Sequence, residues 1–185
     1  VLAQIAAEVL GADERAFIVY SSDTDFTPFD VGAYASSTTY LSGQAARNAA
    51  EKVADQVKAV AAEILECKAD HIVLRDGAAW CEPKKDKKGK KGKKAKGKQS
   101  VSLAEIGTHS LYVRNQHQIA ATGSAISHKS PPPFSAHFVE VEVDTETGQV
   151  TLLEYVSATD CGTAINPTLA EGQVEGAVLN GISFA

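Results

Sequence analysis

The chain has 185 residues, 44% of them hydrophobic, so it is long enough to bury one substantial core or two small ones. No apolar run approaches the 18 residues that a membrane-spanning helix needs, so no span is predicted. The net charge of −5 conceals a basic segment, residues 83–99, in which ten lysines stand against one aspartate. Like charges interspersed with glycine cannot bury apolar surface, so this segment is predicted to be a flexible loop insertion.

The first part of the chain predicts a helix, a strand, a loop and a second helix. One apolar stripe predicts a helix over residues 2–10 that ends at Gly11, and the β-branched and aromatic residues 17–20 predict a strand. The polar residues 21–40 predict a loop that binds a ligand. Alanine-rich residues 42–66 predict a long helix. Its predicted buried stripe comprises Ala46, Ala49, Val53, Val57, Val60 and Ile64.

The next predicted feature is a hairpin whose strands are residues 71–74 and 78–81, with a turn at Asp76–Gly77. After the lysine-rich segment, residues 101–106 are predicted to form another ordered element of secondary structure, its type left open. Residues 107–135 carry little periodicity and end in three prolines, which predict an extended segment.

The clearest pattern is a second hairpin, which begins at residues 137–144. Val139, Val141 and Val143 alternate with glutamates, which predicts a strand with one buried face. A turn ending at Gly148 leads into a return strand over residues 150–156. A last helix is predicted from about Thr168. Its predicted core-facing residues are Leu169, Val174, Ala177 and Val178.

These elements predict an α+β fold in which antiparallel hairpins pack with long alanine-rich helices. The predicted organisation is a domain in two parts, residues 1–82 and 100–185, interrupted by the insertion at 83–99. The three cysteines form no C-x-x-C pair, and the five histidines lack metal-binding spacing, so no metal ligand is assigned. Unpaired cysteines fit a reducing cytoplasm.

Three ordered stretches resemble the molybdopterin-binding large subunit of molybdenum hydroxylases of the xanthine dehydrogenase/aldehyde oxidase family. The first runs from Gln4 to Ala45 and contains DTDFTP and then ASSTT before the long helix. The second is HFVEVEVDTETGQVTLLEYV, residues 137–156, and the third is DCGTAINPTLAEGQVEGAVLNGI, residues 160–182. The resemblance covers nearly all of the chain except the lysine-rich segment.

The resemblance implies a molybdenum–molybdopterin cofactor with a phosphate tail or a cytosine dinucleotide tail. It implies that the whole enzyme hydroxylates a small N-heterocycle or an aldehyde with oxygen from water. It further implies a cytoplasmic hetero-oligomer that joins the rest of the molybdopterin-binding domain to iron–sulfur and flavin subunits. The 2Fe–2S centres and FAD are expected on these partners and not on this chain.

The family's cofactor contacts match four residues here: Ala35, Ser36 and Thr38 before the long helix, and Gln173 of Gly-Gln-Val-Glu-Gly. Small residues let backbone N–H groups approach an anion, hydroxyls add donors, and an amide suits a pterin edge. From the residues alone, two ordinary alternatives remain open. The Ser/Thr-rich turn would then only cap its own helix, and Gln173 would be a glutamine on a helix surface. Asp160, Gly162 and Asn166 are predicted to shape the turn before the last helix.

The family's general base is a glutamate in a later Gly-Glu segment, expected beyond Ala185, so no catalytic residue is assigned. The opening at Val1 and the end inside a helical pattern predict an excerpt of a longer polypeptide that is inactive alone. Two alternatives remain at this point: a non-catalytic cofactor-binding or assembly subunit, and a nucleic-acid-binding protein that uses the lysine run. The second is disfavoured because the run has no aromatic residue and no arginine.

Overall fold

The computed structural model describes residues 1–82, 99–114, 116–129 and 131–185, which divide into two compact units, residues 1–127 and 128–185. The predicted lysine-rich insertion lies outside the described residues except for Gln99. The first unit contains α1 (Leu2–Leu10), α2 (Thr38–Ile64), β1 (Ile72–Arg75), β2 (Ala78–Cys81), β3 (Ser100–Ser102) and α3 (Leu103–Tyr112). The second contains β4 (Phe134–Val143), β5 (Val150–Asp160) and α4 (Pro167–Phe184). Helices with antiparallel strands confirm the predicted α+β class.

The core of the first unit forms where the C-terminal half of α2 meets α3 and the antiparallel sheet β1-β2-β3. Its buried members are Val57, Val60, Ala61, Leu65, Ile72, Ala79, Val101 and Ile106. The N-terminal half of α2 packs against α1, where Gly43 leaves room for the side chain of Ile5. Small residues along α2 therefore let α1 approach one half of the helix closely, and α3 with the sheet approach the other half.

The buried face of α2 differs from the predicted stripe. Among the predicted positions only Val57 and Val60 are buried, and the others lie at partly buried positions beside the packed face. The residues that are buried along α2 are Gly43, Ala50, Ala54, Val57, Val60 and Ala61. An alanine-rich helix has several similar apolar stripes, and the packing selects the one with the smallest side chains.

The first predicted hairpin is confirmed, with Val73 paired to Trp80 and Leu74 to Ala79. Its two-residue turn has φ of 53° at Asp76 and 69° at Gly77, as a hairpin turn with two left-handed residues requires. The turn is also bound to the end of α1, because the Gly77 amide donates to the Gly11 carbonyl oxygen at 2.8 Å. The predicted helix end at Gly11 is confirmed by its left-handed φ of 59°.

The predicted strand over residues 17–20 is wrong. These residues follow a short 3-10 helix without forming a ladder with any described strand, and Ile18 is 95% exposed. A β-branched run becomes a strand only where a partner satisfies its backbone groups and covers one face. No such partner lies beside this run among the described residues.

An extended segment, residues 117–127 and called the strap below, lies along α2. Three polar side chains spaced four residues apart on α2 bind alternate carbonyl oxygens of the strap. Four residues of helix rise ~6 Å and two residues of extended chain span ~6.6 Å, so the two spacings match. The hydrogen bonds, each 2.9 Å, join Asn48 to Ser124, Lys52 to Thr122 and Gln56 to Ala120.

The second unit is built on the predicted β4–β5 hairpin, which has a bulge between Glu140 and Val141. Its connection is closed by Asp144, whose carboxylate accepts from the amides of Glu146 and Thr147 at 2.8 and 3.2 Å. These donors, chiefly the Glu146 amide, hold the pKa of Asp144 below its usual range. Gly148, at the end of the predicted turn, has a positive φ of 74°.

Within the described residues, the predicted buried face of β4 is wrong, and that of α4 is only partly buried. Val139, Val141 and Val143 are about half exposed. Along α4, Leu169 and Ala177 are exposed, whereas Val174 and Val178 are partly buried. An alternating pattern indicates a strand with an apolar face, but the pattern does not identify what packs against that face.

Candidate cofactor-binding site

Ala35, Ser36 and Thr38 lie together at the end of a polar loop, residues 21–37, where α2 begins. All three are exposed. The predicted loop and helix are both confirmed, and α2 begins at Thr38, four residues before the predicted start. The first unit therefore presents these side chains and their backbone groups on its surface.

The backbone before α2 has an unusual conformation. Ala35 and Ser36 are left-handed, with φ of 50° and 54°, and Ser37 returns to a right-handed conformation with φ of −89°. A left-handed conformation costs a residue other than glycine about 1–3 kcal/mol. Successive residues of opposite hand aim neighbouring N–H groups at one point, which creates a concavity suited to an anion.

The first turn of α2 lacks a side-chain cap within residues 1–82. Ser37 occupies the N-cap position, but its hydroxyl donates backwards to the Tyr34 carbonyl oxygen at 2.8 Å. The partial positive charge at the N-terminus of a 27-residue helix is thus left available. With the adjacent left-handed pair and the Thr38 hydroxyl, this end of the helix fits an anionic group such as a phosphate.

Two aspartates of the 21–37 loop organise it. Asp23 accepts from the Tyr20 hydroxyl at 2.9 Å and from the Asp25 amide at 3.0 Å. Asp30 accepts from the Gly32 amide at 2.7 Å and from the Ser42 hydroxyl at 2.9 Å. These two hydrogen bonds, of which the one from the Gly32 amide has the larger effect, hold the pKa of Asp30 below its usual range.

Asp30 was not among the predicted site residues. The Asp-x-Gly pattern at residues 30–32 is a turn signal that indicates the contact with Gly32. The contact with Ser42, twelve residues away on α2, has no such signal, because it depends on how the loop folds back onto the helix.

The fourth predicted residue, Gln173, is exposed on α4 in the second unit. The structure therefore brings Ala35, Ser36 and Thr38 together in the first unit and places Gln173 in the other. The α4 helix begins at Pro167, one residue before the predicted start, and Asn166 caps it by accepting from the Leu169 amide at 3.1 Å.

The turn before α4 is shaped by two of the predicted residues. Asp160 accepts from the amide of Gly162 at 2.8 Å, and Gly162 has a φ of 72°. The described residues contain no group of three histidine, cysteine or acidic side chains that could hold a metal ion. None of the described helices is both long and apolar enough to cross a membrane.

Comparison with known proteins gives a consistent family assignment. Residues 1–185 match the family model of the molybdopterin cofactor-binding domain. The chain is 38% identical over 186 residues to the probable hypoxanthine oxidase XdhD of Escherichia coli K12, covering all of this chain and 18% of that protein. It is 31% identical over 189 residues to the putative xanthine dehydrogenase molybdenum-binding subunit XdhA of the same strain, covering all of this chain and 23% of that protein.

A similar fold occurs in the crystal structure of a Cu,Mo-CO dehydrogenase. The TM-score is 0.77 at 25% sequence identity, and the match covers 95% of this chain and 21% of that chain. The chain thus spans about a fifth of the length of the proteins it matches.

Proposed function

The chain belongs to the molybdopterin cofactor-binding domain family, and on that premise we propose that it forms part of the cofactor site of a molybdenum-dependent hydroxylase. The observation that carries this proposal is the left-handed pair Ala35–Ser36 directly before the uncapped first turn of α2. Such a backbone offers several N–H donors to an anion without needing a lysine or arginine. The proposed cofactor is molybdenum–molybdopterin, with a phosphate or a cytosine dinucleotide as its anionic tail.

Four residues would hold the cofactor. Ala35 allows close approach of the backbone, and the hydroxyls of Ser36 and Thr38 donate to an anionic or polar group. Gln173 carries both a donor and an acceptor, as the edge of a pterin requires. When bound, the cofactor supplies two-electron redox chemistry that transfers oxygen from water to the substrate. The residues of this chain bind and orient it, and no catalytic role is assigned to any of them.

For the whole protein we propose the hydroxylation of a small N-heterocycle or an aldehyde in the cytoplasm. The names of two relatives, a hypoxanthine oxidase and a xanthine dehydrogenase subunit, support the N-heterocycle. The word subunit in the second name supports a hetero-oligomer, for which we propose iron–sulfur and FAD partners. The alternative is a cofactor-binding or assembly subunit without its own activity.

The test compares two threonine substitutions in the complete polypeptide that carries this chain. Thr38→Val removes the hydroxyl at the first turn of α2 with little change in size. Thr24→Val does the same at an exposed position of the 21–37 loop. Losing a hydrogen bond to a charged group costs about 1.5–3 kcal/mol, so Thr38→Val should retain about tenfold less cofactor at limiting concentration. The measurement is molybdenum and pterin content per polypeptide.

An unchanged molybdenum and pterin content in Thr38→Val would refute the role of this turn. A wild-type protein free of molybdenum and pterin would refute the proposed function as a whole. Full cofactor content without oxidation of any N-heterocycle or aldehyde would favour the assembly-subunit alternative.

A further inference from the structure

The carboxylate of Asp30 closes the loop that carries the proposed cofactor contacts. It binds the Gly32 amide at one end and the Ser42 hydroxyl at the other, so it joins the loop directly to α2. The two hydrogen bonds, 2.7 and 2.9 Å long, fix the carboxylate at both ends. Between the two contacts lie two left-handed residues, Ala35 and Ser36.

This arrangement explains how an unfavourable backbone can persist. Left-handed alanine and serine are costly, and they remain only where surrounding contacts restrict the loop. Ser42 lies four residues after Thr38, so the two side chains share one face of α2. Asp30 therefore attaches the loop to the helix face that presents the Thr38 hydroxyl. The attachment point, Ser42, lies one helical turn from Thr38 towards the C-terminus.

We propose that Asp30 is a positioning residue for the cofactor site, holding the Ala35–Ser36 turn against α2 in its donor-presenting conformation. This inference rests on the proposed function of that turn. Asp30 acts through the Gly32 amide and the Ser42 hydroxyl and makes no contact with the cofactor itself. The geometry, and not the charge, of residue 30 is what the turn requires.

The experiment uses the complete polypeptide with Asp30→Ala, Asp30→Asn and Asp25→Ala. Asp25 is the matched control, because it is an exposed carboxylate of the same loop whose side chain accepts no hydrogen bond within residues 1–82. Asparagine can still accept from the Gly32 amide and donate to the Ser42 oxygen, so it should rescue the loop without a charge. The first measurement is the rate of chymotryptic cleavage after Tyr34 in cofactor-free protein.

Asp30→Ala is expected to raise this cleavage rate about tenfold, as the loss of two hydrogen bonds implies. The two other variants should stay within about twofold of wild type. Ser42→Ala should have a smaller effect, and combining it with Asp30→Ala should add nothing to the effect of Asp30→Ala alone. The melting temperature should stay within about 2 °C of wild type, since the contacts are exposed.

The second measurement is the fraction of molybdenum retained after gel filtration, which should fall about tenfold in Asp30→Ala and recover in Asp30→Asn. Unchanged cleavage in Asp30→Ala would overturn the positioning role, whatever the molybdenum content. Faster cleavage with full molybdenum retention would confirm that Asp30 orders the loop but would overturn its role in the cofactor site, whereas the proposed function of the turn itself is tested by Thr38→Val. Loss of molybdenum in Asp30→Asn equal to that in Asp30→Ala would overturn the claim that geometry, and not charge, is required.

Discussion

Gly123 of the strap lies against α2 without room for a side chain, and an alanine there is predicted to destabilise the first unit. A methyl group at this position would lie 2.4 Å from the Ala45 carbonyl oxygen and 2.5 Å from the Ala49 amide nitrogen. Ordinary contact begins near 3.4 Å, so the strap must lift by about 1 Å from a helix backbone that cannot yield. The lift would stretch the flanking bonds from Asn48 and Lys52, now 2.9 Å, beyond hydrogen-bond range.

The expected cost follows from these two effects. Overpacking a close contact costs about 1–3 kcal/mol. The two flanking hydrogen bonds are exposed, so water replaces part of their energy, and their loss adds only about 1 kcal/mol. The sum of about 2–4 kcal/mol corresponds to a melting temperature lowered by roughly 10 °C, measured by circular dichroism or calorimetry.

Gly107 provides a control with the same chemical change and the opposite expected sign. It lies within α3, and a methyl group there meets no atom within 4 Å. Replacing a helical glycine by alanine stabilises by about 0.5–1 kcal/mol, so Gly107→Ala should raise the melting temperature by a few degrees. If Gly123→Ala melts at the wild-type temperature or above, the strap does not contact α2 as described.

Three further predictions concern the caps and the cysteines. Ser102→Ala removes the capping box of α3 and should cost about 1 kcal/mol in urea unfolding; an unchanged midpoint would contradict the cap. Gly11→Ala should lower the free energy of unfolding more than Gly148→Ala. Both glycines have a positive φ, but only at residue 11 would a methyl group meet backbone, the Leu74 carbonyl oxygen at 2.4 Å. Equal unfolding free energies would count against this contact. Partial burial and a hydrogen bond with the Cys81 thiol raise the pKa of Cys67 from 9.0 to about 12. Iodoacetamide at pH 8 should therefore label the exposed Cys161 at least a hundredfold faster than Cys67, and equal rates by mass spectrometry would refute the raised pKa of Cys67. Because the folded-state pKa of Cys67 is raised, its contribution to stability is complete below about pH 9 and is lost as the pH rises towards 12.

The location of the candidate loop before α2 could be predicted from the sequence, and its backbone conformation could not. The Ser/Thr-rich stretch before a long alanine-rich helix identified the place where α2 begins. The roles of Ala35, Ser36, Thr38 and Gln173 remain predictions that the proposed experiments test. The left-handed conformation of Ala35 was not predictable, because alanine rarely adopts it without restraint from its surroundings.

Local features were determined by the sequence itself. The left-handed end of α1 at Gly11, the Asp76–Gly77 turn and the turn at Asn166 before α4 all formed where the residues predict them. Each depends on φ preferences or hydrogen bonds between residues at most four positions apart, which are properties of a short segment. Neighbouring residues therefore suffice to specify them.

The tertiary structure decided which surfaces meet. Packing chose the narrow face of α2 that includes Ala54 and Ala61, left residues 17–20 without a strand partner, and brought the Ser42 hydroxyl to Asp30. It also left Val141 of the alternating strand half exposed in the second unit. Burial and strand pairing depend on segments far apart in the chain, so a local pattern shows that an apolar face exists but not what covers it.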